Sequence, residues 1–122
     1  MDAQELRINL SRFSGSETFT RWIPISDTTL TEGVRYLAEK AKCFWLMDMI
    51  ESHRPALKSE GFGVAKLIVD LDKHTAIFTL DDGNDRIVAT QKIPYTDFPL
   101  GSIKLYIADN GPAWTIMLPS EY

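Results

Sequence analysis

Asp48 is the residue whose surroundings most suggest chemistry. It stands in the run CFWLMDMIE, residues 43–51, with apolar neighbours on both sides. Burying a carboxylate is costly unless it is paired or hydrogen-bonded. A carboxylate held in such a place can serve as a general acid or base. No nucleophile or second carboxylate is placed by spacing to work with Asp48. A structural hydrogen bond from a tyrosine, a tryptophan or a backbone donor therefore competes with the catalytic reading.

The other chemically capable residues are more scattered. His53 and His74 are far apart and belong to no ligand-spaced pattern such as HExxH, so neither reads as a metal ligand. Cys43 lies in an apolar run beside Phe44, where a free cysteine behaves as a small hydrophobe. Ser14, Gly15, Ser16 and Glu17 resemble neither a GxSxG elbow nor a phosphate-binding loop, and read as a turn. In YTDFPL, Asp97 before Phe98-Pro99 reads as a turn aspartate that binds nearby backbone amides. The acidic turns are more suggestive. Asp81, Asp82 and Asp85 fall in DDGND, and Asp109 precedes Asn110-Gly111. In a meander, alternate turns share one end of the sheet, so these four aspartates would form an acidic rim there. Such a rim could dock on a basic protein surface. Its spacing is not that of a calcium loop.

The elements that must position these residues change character along the chain. Leu6, Leu10 and Phe13 predict a short amphipathic helix over 3–13. Pro24 rules out a central strand in the aromatic stretch 17–25. Thr29 and Glu32 fit a capping box, and Val34, Leu37, Ala38, Ala41, Trp45 and Met49 recur at steps of three and four. That spacing predicts one long helix running to Pro55. From Phe62 the period becomes two. Strands are expected over 62–71, 75–80, 86–93, 103–108 and 113–118, with Asn110-Gly111 as a hairpin turn. The expected fold is one α+β domain over 1–122: an antiparallel β-meander of about five strands, covered by one long α-helix, with a short N-terminal helix.

The bulk numbers narrow the function classes. The chain has 122 residues, 44% hydrophobic and 25% charged, enough for a core without disulfide or metal staples. A single cysteine permits no internal disulfide, and a reducing cytoplasm is the expected setting. The first residues do not read as a signal peptide, and no apolar stretch approaches a membrane span. A net charge of −4 with no basic run argues against nucleic acid as a direct partner.

Several segments match a known pattern in order: FSGSETFTRW, TEGVRYLAEKAKCFWLMDMI, DDGN, YTDFPL and the terminal LPSEY. On these the chain resembles a bacterial family, domain of unknown function 6876. Phe44 stands where that pattern has a tyrosine and Cys43 where it has a small residue. The resemblance implies no established activity, so no catalytic residue is carried over, and it suggests a bacterial, phage or mobile-element setting.

Two functional expectations follow. The first is a small non-catalytic protein-interaction module without cofactor or metal. One version of it is a phage or mobile-element inhibitor that docks on a host defence complex, of anti-CRISPR or anti-restriction type, through Asp81, Asp82, Asp85 and Asp109. The alternative is a small enzyme or ligand-binding protein with Asp48 at the foot of a pocket between helix and sheet. A homodimer through a sheet edge is compatible with either.

Overall fold

The computed structural model describes residues 2–14, 19–21, 28–57, 61–109 and 114–122. The fold is α+β, with helices packed on one face of a mixed sheet. Helix α1 (Ala3–Leu10) is capped by Asp2, whose carboxylate accepts from the Glu5 amide at 2.8 Å, and it buries Leu6 and Leu10. Strands β1 (Phe19–Arg21) and β2 (Thr28–Thr31) lead into α2 (Glu32–Lys40) and α3 (Phe44–His53), and a 3₁₀ turn over Arg54–Leu57 contains Pro55. Strands β3 (Phe62–Asp70), β4 (Thr75–Asp81), β5 (Ile87–Ile93), β6 (Ser102–Asp109) and β7 (Trp114–Met117) complete the sheet. The expected hairpin at Asn110-Gly111 lies outside the described residues, as do Gly15, Ser16, Glu17 and Pro24.

The expected single long helix is two helices. Helix α2 ends in a Schellman closure. The Cys43 amide donates to the Ala38 carbonyl at 3.0 Å, and Lys42 sits at φ 54°. Glycine usually fills that left-handed position, so no glycine or proline marks the break in the sequence. The expected capping box also moves. Thr29 lies in β2, where its hydroxyl meets that of Thr115 at 3.1 Å. Thr31 caps α2 instead, accepting from the Val34 amide at 3.4 Å.

The expected five-stranded antiparallel meander is also corrected. Among the described residues the sheet has seven strands in the order β1-β2-β7-β6-β3-β4-β5, and β2 pairs with β7 in parallel. Strands β3, β4 and β5 form the predicted meander. Strand β6 then returns to the far side of β3, giving Greek-key order in place of a fourth meander strand. Side-chain character explains this choice. Strand β3, FGVAKLIVD, is apolar enough to be buried between two neighbours. Strand β5, IVATQKI, exposes Thr90, Gln91 and Lys92, as suits a sheet edge. The segment 94–101 makes the crossing. Its Thr96 amide donates to the His74 carbonyl at 2.8 Å, the Val69 amide donates to the Gly101 carbonyl at 2.9 Å, and Phe98 and Leu100 are buried.

The strand alternation decides which face is covered. Ala65, Leu67, Val69, Ala76, Phe78, Leu80, Leu105 and Ile107 are buried on one face, in one cluster with Leu37, Leu46, Met47, Ile50 and Leu57 of the helical half. Truncating one of the buried leucines costs roughly 2–5 kcal/mol in a core of this kind. The other face is open where the middle of β3 meets β4, while Val64, Asp81 and Thr115 on it are buried. Ile68 and Ile77, paired across β3 and β4, are 61% and 46% exposed. No helix among the described residues is long and apolar enough to cross a membrane.

Candidate functional site

Asp48 is not a buried polar site. It lies on the exposed side of α3, away from the stripe formed by Leu46, Met47 and Ile50. The break at Lys42 resets the helical phase, and at 3.6 residues per turn the buried stripe of α3 leaves Asp48 facing outward. Asp48 therefore does not stand at the foot of a pocket between helix and sheet, as the alternative reading expected. The thiol of Cys43 is buried, and burial pushes its pKa up to about 12. His53 stacks on Phe78 at 5.7 Å and bonds Gln91 at 2.7 Å, while His74 lies 5.8 Å from the Tyr95 ring. Among the described residues no group of three or more His, Cys, Asp and Glu could hold a metal.

The acidic turns do share one end of the sheet. The reason differs from the expected one: β6 runs antiparallel to β3, which sets Asp109 beside the start of β3, and Asp81 pairs with Val64 two residues further on. The four aspartates are not equivalent. Asp81 is only 5% exposed; one oxygen accepts from the Gly83 amide at 2.7 Å and the other lies 3.8 Å from Lys66 Nζ. Asp82 accepts from the amides of Asn84 and Arg86 at 2.9 and 3.3 Å. Both are committed to the turn. Asp85 and Asp109 stay exposed. In the loop after β5, Thr96 takes the role expected of Asp97: its hydroxyl accepts from the Phe98 amide at 3.1 Å.

The open face carries a group of side chains that sequence reasoning did not assemble. Phe62, Tyr106 and Tyr122 form an edge-to-face cluster with ring centroids 5.2–5.4 Å apart. Tyr122 is 76% exposed. Next to them Lys66 and Lys104 stand directly opposite each other on β3 and β6. These side chains, with Val64, Asp81, Gly83 and Asp85, line a cleft of about 380 Å³. Gly83 has φ +86°, and a Cβ there would lie 2.9 Å from the Phe62 ring. The turn glycine and the aromatic cluster thus fit each other. The available signal was the period-two pattern, which puts Phe62, Val64, Lys66 and Tyr106, Lys104 on outward positions. The strand order that brings the two sets together was not readable.

The cluster is anchored by the C-terminal residues. Glu121, 8% exposed, accepts through one oxygen from the Thr31 hydroxyl at 2.6 Å and the Leu118 amide at 3.0 Å. Its second oxygen accepts from the Gly33 amide at 3.1 Å. It neutralises donors at the start of α2 and clasps the chain's end to that helix. Gly33 is required there, because a Cβ would lie 2.5 Å from Leu118 Cδ1. TEGV and LPSEY, well separated in the sequence, are thus one structural unit, and they hold Tyr122 against Phe62. A family model described as a family of unknown function matches residues 4–122. The chain belongs to DUF6876. The segments that resemble DUF6876 have visible structural work here: TEGV and LPSEY form the clasp, DDGN forms the turn behind Phe62, and YTDFPL forms the crossing. No curated protein and no solved structure matches the chain.

Proposed function

We propose that this DUF6876 chain is a non-catalytic protein-interaction module that meets its partner with the open face of its sheet. The aromatic cluster carries the reading. Three rings held edge to face, one of them largely exposed, stand on a sheet face that also exposes Ile68 and Ile77. Tyrosines in such settings are typical binding hot spots, and an apolar patch left open on a small domain marks an interaction surface. The finer form of the proposal is an inhibitor of a host defence complex in a bacterial cytoplasm. Its basic, nucleic-acid-binding surface would lie against Asp85 and Asp109, the two rim aspartates that stay exposed.

The test compares wild type with Tyr122→Ala and with Asp85→Lys/Asp109→Lys as baits, and identifies captured proteins by mass spectrometry. A partner captured by wild type and lost with Tyr122→Ala supports the face. Capture that survives Tyr122→Ala but not a substitution on α1 would refute it. Loss on charge reversal alone supports the acidic contact, and unchanged capture removes it.

A further inference from the structure

We propose that the cleft on the open face binds a small ligand that joins an anionic group to a planar ring. The proposal is independent of whether a protein partner is found. Lys66 and Lys104 occupy directly opposed positions on neighbouring strands and project to the same side. Like charges so placed repel. Asp81 offsets only part of this. It lies within ion-pair range of Lys66, and its other oxygen is taken by the Gly83 amide. Among the described residues no carboxylate lies within ion-pair range of Lys104. An anion seated between the two ammonium groups relieves the repulsion and gains hydrogen-bond donors.

The ring position is set just as directly. Tyr106 lies two residues from Lys104 along β6, hence on the same side of the strand. Phe62 packs edge-on against both tyrosines and fixes their orientation. A planar group stacks on an exposed ring of this kind with little demand on its identity. The volume of about 380 Å³ suits a small molecule. Asp85 also lines the cleft, exposed and acidic, so the ligand turns hydroxyl or amino donors toward it, not a second anion. The anionic group is a phosphate, as in a nucleoside monophosphate, or a carboxylate, as in an aromatic acid.

Amide-resolved NMR titration of the full chain tests this with adenosine monophosphate, indole-3-acetate, adenosine and inorganic phosphate as probes. Saturable shifts in 62–66, 81–85 and 104–106 are expected with one or both ring-bearing anions, and the stronger of the two identifies the anionic group. Adenosine and inorganic phosphate should each bind at least about tenfold more weakly, each lacking one half of the recognition. Lys104→Gln should weaken binding about fivefold, the value of one exposed ion pair. Tyr122→Ala should weaken it comparably. Both side chains are exposed, and spectra matching wild type elsewhere will show that the fold persists. No shift in these segments with either ring-bearing anion, or equal binding of inorganic phosphate, or undiminished binding by Lys104→Gln, overturns the proposal.

Discussion

Replacing Glu121 with alanine should be among the most damaging single changes outside the apolar core. The carboxylate accepts hydrogen bonds from the Thr31 hydroxyl and the amides of Gly33 and Leu118. A hydrogen bond to a charged group contributes roughly 1.5–3 kcal/mol, and buried donors left without an acceptor add to the loss. At 8% exposure, water replaces the carboxylate only in part. A loss of about 3–4 kcal/mol follows for Glu121→Ala. Glu121→Gln keeps the shape but turns an amide NH₂ toward a donor, and should lose about half as much. At roughly 2.1 cal/mol/K per residue, unfolding 122 residues carries an entropy near 0.26 kcal/mol/K, so each kcal/mol moves Tm by about 4 °C. Calorimetry should therefore show Tm falling by about 12–16 °C for alanine and about 6–8 °C for glutamine. A double-mutant cycle with Thr31→Ala should show a coupling of about 1 kcal/mol or more, because the two side chains share one network. A fall under about 4 °C for Glu121→Ala, or additive effects in the cycle, would show that the clasp is not the stabilising unit described.

Other outcomes follow from the same geometry. Lys42→Gly should raise stability by about 0.5–1 kcal/mol in denaturant unfolding, since it relieves a left-handed backbone at φ 54°. Gly33→Ala should cost about 2–3 kcal/mol, because the new methyl meets Leu118 Cδ1 at 2.5 Å and Glu121 Oε1 at 2.7 Å, and the effect should shrink in a Glu121→Ala background. Cys43 should make stability fall as pH rises. The unfolded thiol loses its proton near pH 9 and the folded one only near 12, so the folded state binds more protons between those values. The fall between pH 8 and 10 should be about 1.4 kcal/mol, and Cys43→Ala should abolish it.

The legible parts of the fold were the ones written in local pattern. The apolar stripe of α2, the alternation in β3 and β6 and the turn around Gly83 can each be read from a short window, and the shared end of Asp85 and Asp109 follows from strand direction. What could not be read depends on long-range or backbone choices. The helix break rests on a lysine in a conformation usually left to glycine, so residue types gave no sign of it. The apolar neighbours of Asp48 suggested burial, but its facing follows from the restarted helix, which buries Leu46, Met47 and Ile50 instead. The crossing of β6 to the far side of β3 was hidden because alternation shows which way side chains point but not which strand lies beside which. A subtler cue was present: β5 is too polar for a central strand. The cleft was illegible for the same reason, since Lys66 meets Lys104, and Phe62 meets Tyr122, only through that strand order.

The central claim is that the open face of the sheet is the surface that binds. Hydrogen exchange of the chain, alone and in complex with a captured partner, tests it directly. Protection on binding should appear in 62–66, 104–106 and the C-terminal residues. Protection confined to α1, α2 and α3, with those segments unchanged, would contradict it.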